Sequence, residues 1–218
     1  FLAGAGIQTA GLAFGGTPPT TGATEEYDGS TWTTSPGSLN TTRERLGGAG
    51  TQTAGLAFGG GPPNTGATEE YNGLTWASNP TGLNTTRQQL AGCGTQTAGL
   101  AFGGSTPADT AATEEYDGNS WTSSNPLNTV RSGLAGCGIQ TSALAFGGNN
   151  PAPGFLSATE EYDGTNWTAG GNLATARYYL GAAGTTAAGL AFGGSAPGIT
   201  AATEEWTAGL QIQTITVS

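Results

Sequence analysis

Apolar residues in this chain occur in short groups separated by Gly, Thr, Ser and Pro. No group continues at the 3.6-residue spacing of an amphipathic helix, whereas short apolar runs bounded by turn residues are typical of β-strands. In one representative stretch we predict a first strand at 46–53, a second at 55–58, a third at 68–71 and a fourth that starts near 75–76. Asn72-Gly73 predicts a tight turn before the fourth strand, because both residues tolerate a positive φ.

The same pattern returns along the whole chain. Ala-Phe-Gly-Gly begins at residues 13, 57, 101, 145 and 191, and Ala-Thr-Glu-Glu follows each time. A fixed period of this size indicates a solenoid, a propeller or an array, and four strands with hairpin-like links fit a propeller blade better than the coils of a β-solenoid. We therefore predict an all-β fold, a five-bladed β-propeller of four-stranded antiparallel blades. The predicted single domain covers 1–218, with blades at about 1–40, 41–84, 85–128, 129–172 and 173–218.

Each unit also carries a recurrent set of Gly, Tyr, Trp and Arg residues. A Gly-Gly doublet ends strand two, a Tyr follows in strand three, a Trp opens strand four and an Arg precedes the next unit. Four units carry the full set: Gly15-Gly16, Tyr27, Trp32 and Arg43; Gly59-Gly60, Tyr71, Trp76 and Arg87; Gly103-Gly104, Tyr116, Trp121 and Arg131; Gly147-Gly148, Tyr162, Trp167 and Arg177. The fifth unit keeps Gly193-Gly194 but has Trp206 in the Tyr position.

This set resembles the kelch repeat. More narrowly, the sequence pattern GTQTAGLAFGG…ATEEYDGSTWT is similar to kelch-like arrays in structural proteins of tailed bacteriophages. The resemblance implies a kelch-like propeller, and it places the protein in a virion or tail appendage, outside the cell.

A five-bladed ring is narrow, so we expect small residues on the innermost strand. Strand one is innermost in a kelch-type blade, and Gly92 and Gly136 lie where larger side chains would collide. The segment 210–217 predicts the last strand four, so that each blade comes from one continuous segment and closure rests on packing between the first and fifth blades. Because the sequence has no Met, we expect it to begin downstream of a natural start; its divergent ending is typical of a carboxyl terminus.

Composition narrows the function classes. Charged residues make up 9% of the chain, Lys and His are absent, and the net charge is −10. This balance argues against binding to nucleic acid or to an anionic membrane surface, and no apolar run reaches the roughly 18 residues of a membrane helix. Without His there is no base for a Ser or Cys nucleophile and no Cys/His metal grouping. We therefore expect no enzymatic activity, no metal and no cofactor, and we expect Cys93 and Cys137 to be buried free thiols because other units have Ala there.

Paired Glu residues are the most conspicuous polar feature. Neighbours on a strand face opposite sides, so the two carboxylates of a pair cannot share one catalytic site. Arg recurs at the same period, and its planar fork suits a partly buried carboxylate. We predict structural ion pairs in which one Glu of each pair binds an Arg of the same or the adjacent blade, with the first unit lacking its Arg. The candidates are Glu25, Glu26, Glu69, Glu70, Glu114, Glu115, Glu160, Glu161, Arg43, Arg87, Arg131 and Arg177, and the fifth pair is Glu204-Glu205.

Two other repeated features have a functional and a structural interpretation. Asp28, Asp117 and Asp163 each precede Gly and could contribute oxygen ligands to calcium, but Asn72 in the same register favours a turn residue. The repeated Trp residues could stack on sugars, although one Trp per blade in fixed register more often packs between blades.

The variable segments indicate where a partner would bind. The loops between strands two and three, and the linkers between units, differ in length and content, and an up-and-down blade places both sets on one face. A constant scaffold with changing loops is typical of a binding surface. The candidate binding residues are Asp109, Asn149, Asn150, Phe155, Leu156, Tyr178 and Tyr179, with Phe155-Leu156 expected to form an apolar tip.

These patterns favour a non-enzymatic structural or adhesion module. Its expected partners are proteins of a virion, or a glycan or receptor on a host surface. The alternative is a multivalent carbohydrate-binding lectin, in which five near-equivalent shallow sites would gain avidity.

Overall fold

A computed structural model describes residues 1–152, 154–208 and 210–215. The chain forms five four-stranded antiparallel sheets, which we call blades one to five, and each sheet is drawn from one continuous segment. The prediction of an all-β, five-bladed propeller is confirmed. No helix in the described segments is long and apolar enough to cross a membrane.

The strands of the blades are numbered in chain order. Blade one contains β1 (Ala3–Ile7), β2 (Ala10–Phe14), β3 (Thr24–Tyr27) and β4 (Trp32–Thr34). Blade two contains β5 (Gly47–Thr51), β6 (Ala54–Phe58), β7 (Thr68–Tyr71) and β8 (Trp76–Asn79). Blade three contains β9 (Ala91–Thr95), β10 (Ala98–Phe102), β11 (Thr113–Tyr116) and β12 (Trp121–Ser124). Blade four contains β13 (Ala135–Ile139), β14 (Ser142–Phe146), β17 (Thr159–Tyr162) and β18 (Trp167–Ala169), with a small hairpin of β15 (Asn149–Asn150) and β16 (Gly154–Phe155). Blade five contains β19 (Gly181–Gly184), β20 (Ala188–Phe192), β21 (Thr203–Thr207) and β22 (Leu210–Ile215).

The predicted strands agree with these bounds to within a few residues. The third strand of blade two has the predicted limits. The first strand is shorter than predicted, because Gln52 and Thr53 form the turn into β6. In blade five, β22 covers most of the predicted last strand, and residues 216 and 217 of that prediction lie outside the described residues. The hairpin of β15 and β16 was not predicted.

The hydrophobic core lies between blades rather than within them. Phe14 of blade one packs on Trp76 of blade two, with ring centroids 4.9 Å apart. The Trp76 indole N–H donates to the Thr24 hydroxyl of blade one at 2.8 Å. The same pairs recur at the next two interfaces as Phe58 with Trp121 and Phe102 with Trp167. Each blade therefore buries its apolar face only by contacting a neighbour, as in other repeat proteins.

The first strands of neighbouring blades lie side by side around the axis, with β5 between β1 and β9, and β13 between β9 and β19. They surround a central cavity of about 530 Å³. The small size of Gly92 and Gly136 has a different cause from the one we predicted. A Cβ on Gly92 would lie 2.2 Å from the Phe58 ring, and one on Gly136 would lie 2.3 Å from the Phe102 ring. These glycines make room for an aromatic ring of the preceding blade, not for a crowded axis.

The interface between blades five and one differs from the other four. No comparable set of contacts joins β19 to β1, and both Phe192 and Trp32 are exposed although their counterparts are buried. The rings of Phe1 and Tyr179 meet across this boundary with centroids 4.7 Å apart. The expectation that packing between the first and fifth blades closes the ring is therefore wrong for the described residues: the blade-to-blade core is missing there. We call this boundary the seam.

Candidate functional site

The variable loops and the linkers lie together on one face, which we call the loop face. Each linker pairs with the loop of the blade it enters: the Glu44 N–H donates to the Gly61 carbonyl at 2.9 Å, and the Gly61 N–H returns a bond to Glu44 at 3.0 Å. Gln88 with Ser105 and Ser132 with Asn149 repeat this exchange. The junction between linker and loop is thus fixed in the same way in successive units.

The first Glu of a pair binds the Arg of the preceding linker in four units. Arg43 Nη1 lies 3.1 Å from Glu69 Oε1, and Arg177 Nη2 lies 3.1 Å from Glu204 Oε1. The other two pairs join Arg87 to Glu114 and Arg131 to Glu160. All eight side chains are buried, and burial lowers the pKa of Arg43, Arg87 and Arg131.

These carboxylates also hold the linker backbone. Glu69 accepts from the Asn40 N–H at 2.6 Å, and Glu114 accepts from the Asn84 N–H at 2.6 Å. Arg87 Nε in turn donates to the Gly103 carbonyl at 2.9 Å. The Arg and Glu side chains of these pairs point inward and hold each linker against the blade that it enters. They are therefore not available to a substrate.

Blade one lacks this arrangement. Glu25 is exposed, and no Arg lies within ion-pair distance of it in the segments that the structure describes. It occupies the register that Glu69 has in blade two, as the pairing of Ala13 with Glu25 and of Ala57 with Glu69 shows.

The second Glu of a pair has a role that the sequence analysis missed. Glu26, Glu70 and Glu115 each accept a short hydrogen bond from a Tyr hydroxyl of the next blade. The donors are Tyr71, Tyr116 and Tyr162. A signal was present in the sequence: Tyr keeps one register through four units and is replaced by Trp206 in the fifth. In blades two and three both carboxylates of the pair therefore serve interfaces, one through Arg and one through Tyr.

The Tyr–Glu bonds predict a loss of stability at alkaline pH. Burial, followed by the bond to Glu115, raises the pKa of Tyr162 to about 12, whereas the pKa of an unfolded Tyr is about 10. The folded state keeps this proton longer, so the stabilisation is complete below about pH 10 and is lost as the pH rises towards about 12. We expect Tyr162→Phe to be less stable than wild type at pH 8, with the difference shrinking over that window.

Urea unfolding at pH 8, 10 and 11.5 measures this difference. Tyr27→Phe is the matched control, because Tyr27 has the same register in blade one but lies at the seam. A Tyr162→Phe difference that stays constant across the window would contradict the prediction.

The Asp-Gly turns use their carboxylates internally. Asp117 Oδ1 accepts from the Asn119 and Ser120 N–H groups at 2.8 and 2.7 Å, and these bonds lower its pKa. Asn72 Oδ1 accepts the equivalent bonds from Leu74 and Thr75. Among the described residues, no three His, Cys, Asp or Glu side chains are grouped as a metal site requires. The geometry agrees with the turn interpretation.

Three of the four repeated Trp residues and both Cys residues lie inside the protein, whereas Trp32 is exposed at the seam. Trp76, Trp121 and Trp167 are buried between blades, so they offer no face to a sugar. Cys93 and Cys137 are free and buried, and burial raises the pKa of Cys137 to about 12. Neither thiol is a candidate nucleophile, since the reactive form is the thiolate.

The clearest irregularity of the loop face is a row of aromatic rings, which we call the aromatic row. Phe155 stacks on Tyr178 with centroids 4.7 Å apart and planes 10° apart. Tyr178 contacts Tyr179 at 4.5 Å, and Tyr179 contacts Phe1 at 4.7 Å. Arg45 lies over the Phe1 ring at 5.1 Å. The other linkers have Glu44, Gln88 or Ser132 in the position of Tyr178, so this row belongs to one sector.

A cavity adjoins the aromatic row at the centre of the loop face. Its volume is about 240 Å³, and Phe1, Arg45, Gln89, Gly133 and Tyr179 form its rim. Backbone bonds link these rim positions in sequence, from Arg45 to Phe1 at 3.2 Å, from Gln89 to Arg45 at 2.8 Å and from Tyr179 to Gly133 at 2.7 Å. The cavity is thus bordered by aromatic and cationic side chains on a rigid backbone.

The remaining candidate residues differ from expectation in one case. Leu156 is buried, and its N–H donates to the Gly148 carbonyl at 2.8 Å, so the expected apolar tip consists of Phe155 alone. The reason is the hairpin of β15 and β16, which turns Leu156 towards the blade. Asn149 pairs with Ser132, Asn150 donates to the Val130 carbonyl at 2.7 Å, and Asp109 bridges to Ser105 within its own loop.

No family model matches the chain, and no curated protein matches it.

Proposed function

We propose that this protein is a non-enzymatic structural or adhesion module whose contact surface is the aromatic row of the loop face. The observation that carries the proposal is the stacked pair of Phe155 and Tyr178, in which Phe155 is 38% exposed and Tyr178 is half-buried. Aromatic rings give large contact area at low entropic cost, and the faces of such rings bind the C–H faces of sugars or apolar protein side chains.

The location in a virion or tail appendage is supported by the resemblance of the repeat sequence to phage structural proteins. Kelch-like architecture has the same support, from the recurrent Gly-Gly, Tyr, Trp and Arg residues of the units. In that setting the partner is a neighbouring virion protein, or a glycan or receptor on the host surface. The acidic composition favours neither nucleic acid nor an anionic membrane.

A multivalent lectin is the second candidate. The observation in its favour is the repetition of exposed turns at Asp28, Asn72, Asp117 and Asp163, on the face opposite the loops. Because these side chains already accept two backbone bonds each, they have less capacity left for a ligand than the aromatic row.

A glycan array with the purified protein tests the proposal, in calcium and in chelator. We expect binding to a sugar class that Phe155→Ala together with Tyr178→Ala removes and that chelator does not change. Gln88→Ala is the matched control, because Gln88 has the linker position of Tyr178 in another unit, and it should bind as wild type does.

Each other outcome has a definite meaning. Binding that survives the double substitution but needs calcium would favour the lectin with sites at the Asp turns. A blank array with folded protein would contradict glycan adhesion and leave the structural role. Release of shortened glycans, detected by mass spectrometry of the incubated sugars, would overturn the non-enzymatic proposal.

A further inference from the structure

The seam exposes, on blade one, the face that every later blade buries. Trp32 is 52% exposed, whereas Trp76 is 6% exposed. Leu2 is 64% exposed, whereas its counterpart Leu46 is 5% exposed. A Cβ on Gly55 would lie 2.6 Å from Leu12 of the preceding blade, but a Cβ on Gly11 would meet only its own blade. Blade one therefore exposes the face that a preceding blade covers in the later units.

Blade five exposes the complementary face. Phe192 is 40% exposed, whereas Phe14 is 1% exposed. A Cβ on Gly59 would lie 2.8 Å from the carbonyl oxygen of Arg87 in the following linker, whereas a Cβ on Gly193 would meet only its own Thr200 at 3.8 Å. Blade five thus lacks the cover that the following unit supplies elsewhere.

The polar groups at the seam repeat this complementarity. At the first interface, Gln52 Nε2 donates to the carbonyls of Tyr27 and Gly11 at 2.7 and 3.2 Å. Gln8 has the same register in blade one and is exposed. Glu25 has the register of Glu69 and is exposed without an Arg, as described above. One missing unit accounts for the apolar, amide and carboxylate groups together.

We propose that the seam accepts one further unit of this same repeat, joined ahead of blade one by a linker that places an Arg two residues before Phe1. Arg43 stands two residues before Arg45, the counterpart of Phe1, and it binds Glu69. The added linker brings its Arg to Glu25 in the same way. The added blade covers Trp32 with its strand-two Phe, and its own Trp covers Phe192.

A second copy of the chain fits the seam less well. Its blade one could offer a Trp to Phe192, but that blade is attached to four others, and they would have to pass the first blade of the original ring. A single blade has both required faces and nothing beyond them. The rings of Phe1 and Tyr179, which now meet across the seam, separate when it enters.

The test joins a copy of residues 90–132 directly ahead of Phe1. In that copy Arg131 falls two residues before Phe1, Phe102 faces Trp32, and Trp121 faces Phe192. The measurement is backbone hydrogen exchange of β4 in blade one and β21 in blade five. We expect exchange in both strands to slow by about tenfold or more, with a higher Tm than that of the original chain.

Two controls make the result specific. A copy carrying Tyr116→Ala and Trp121→Ala has lost only its face towards blade five, so it should protect β4 and leave β21 unchanged. A copy carrying Arg131→Ala should protect β4 less than the intact copy. Protection of β4 alone by the intact copy would overturn the proposal, because the unit would then extend the array without entering the seam.

The original chain provides an independent check that needs no new fold. If β4 exchanges as slowly as β8 in the unmodified protein, then blade one is already covered in solution and the proposal is wrong. We expect β4 to exchange faster than β8. Raising the concentration of the original chain should not change this difference between the exchange rates of β4 and β8. Protection of β4 that increases with concentration would assign the seam to a second copy and overturn the proposed occupant. None of these outcomes depends on glycan binding, so the proposed function is tested separately.

Discussion

Replacing Arg87 with Ala is expected to lower the free energy of unfolding by about 3–5 kcal/mol, because it leaves the Glu114 carboxylate buried without its cation. Arg87 is fully buried between a linker and the next blade, and it also donates to the carbonyls of Gly103 and Ala101. For a chain of this length each kcal/mol corresponds to about 2–4 °C in Tm. Urea unfolding at pH 7, followed by circular dichroism, measures the loss.

Two further variants separate the ion pair from lost packing. Arg87→Ala together with Glu114→Gln removes the uncompensated charge, so it should recover part of the loss. Arg45→Ala is the comparison for a more open pair, since Arg45 is 30% exposed although its partner Glu44 is buried, and it should cost less than Arg87→Ala. An Arg87→Ala protein as stable as Arg45→Ala would show that the fully buried pair contributes no more than the more open one.

Replacing Gly92 with Leu is expected to prevent the packing of blade three on blade two. A Cβ there would lie 2.2 Å from the end of the Phe58 ring and 3.1 Å from the Leu100 carbonyl oxygen. Overpacking typically costs about 1–3 kcal/mol, and four added carbon atoms against a fully buried ring place this variant at or above that range. Loss of cooperative thermal unfolding, or failure to fold, would register the effect.

The control for this prediction comes from the seam. Gly4 has the same register in blade one, and a Cβ there would meet only the Leu12 carbonyl oxygen at 3.1 Å. Gly4→Leu should therefore be tolerated better than Gly92→Leu. Equal damage from the two substitutions would mean that the strand itself requires Gly and that the Phe58 ring is not the cause.

The fold was predictable because its signals recur. One ambiguous strand in a single unit would be weak evidence for a fold. Leu-Ala-Phe-Gly-Gly, however, occurs in the same register in all five units, and such a repeat is compatible only with a radial or a linear array of units. The turns were predictable because they depend only on neighbouring residues. The side chains of Asn72 and its counterparts accept hydrogen bonds from the backbone N–H groups two and three residues later. The unpredicted hairpin of β15 and β16 occurs in one loop only, so no repeated sequence pattern indicated it.

Features that depend on contacts between units were harder to derive. The sequence places Arg and Glu at one period but does not say which Glu faces the Arg, and it gave no reason to join Tyr116 to Glu70 across an interface. Leu156 was expected at an exposed tip because it follows Phe155, the last residue of β16, yet successive side chains of an extended chain point in opposite directions. The seam was missed for a similar reason, since the number of units in a chain does not fix the angle between neighbouring blades.

The Gln hydrogen bonds between blades have a consequence for how such genes change. Gln52, Gln96 and Gln140 each reach two main-chain carbonyls of the preceding blade. Because every residue type has the same main-chain carbonyl, these hydrogen bonds do not depend on which side chains the preceding blade carries. A recombination event that duplicates or deletes one whole unit therefore leaves these hydrogen bonds intact, and the length of the array can drift without a compensating mutation in the adjacent blade.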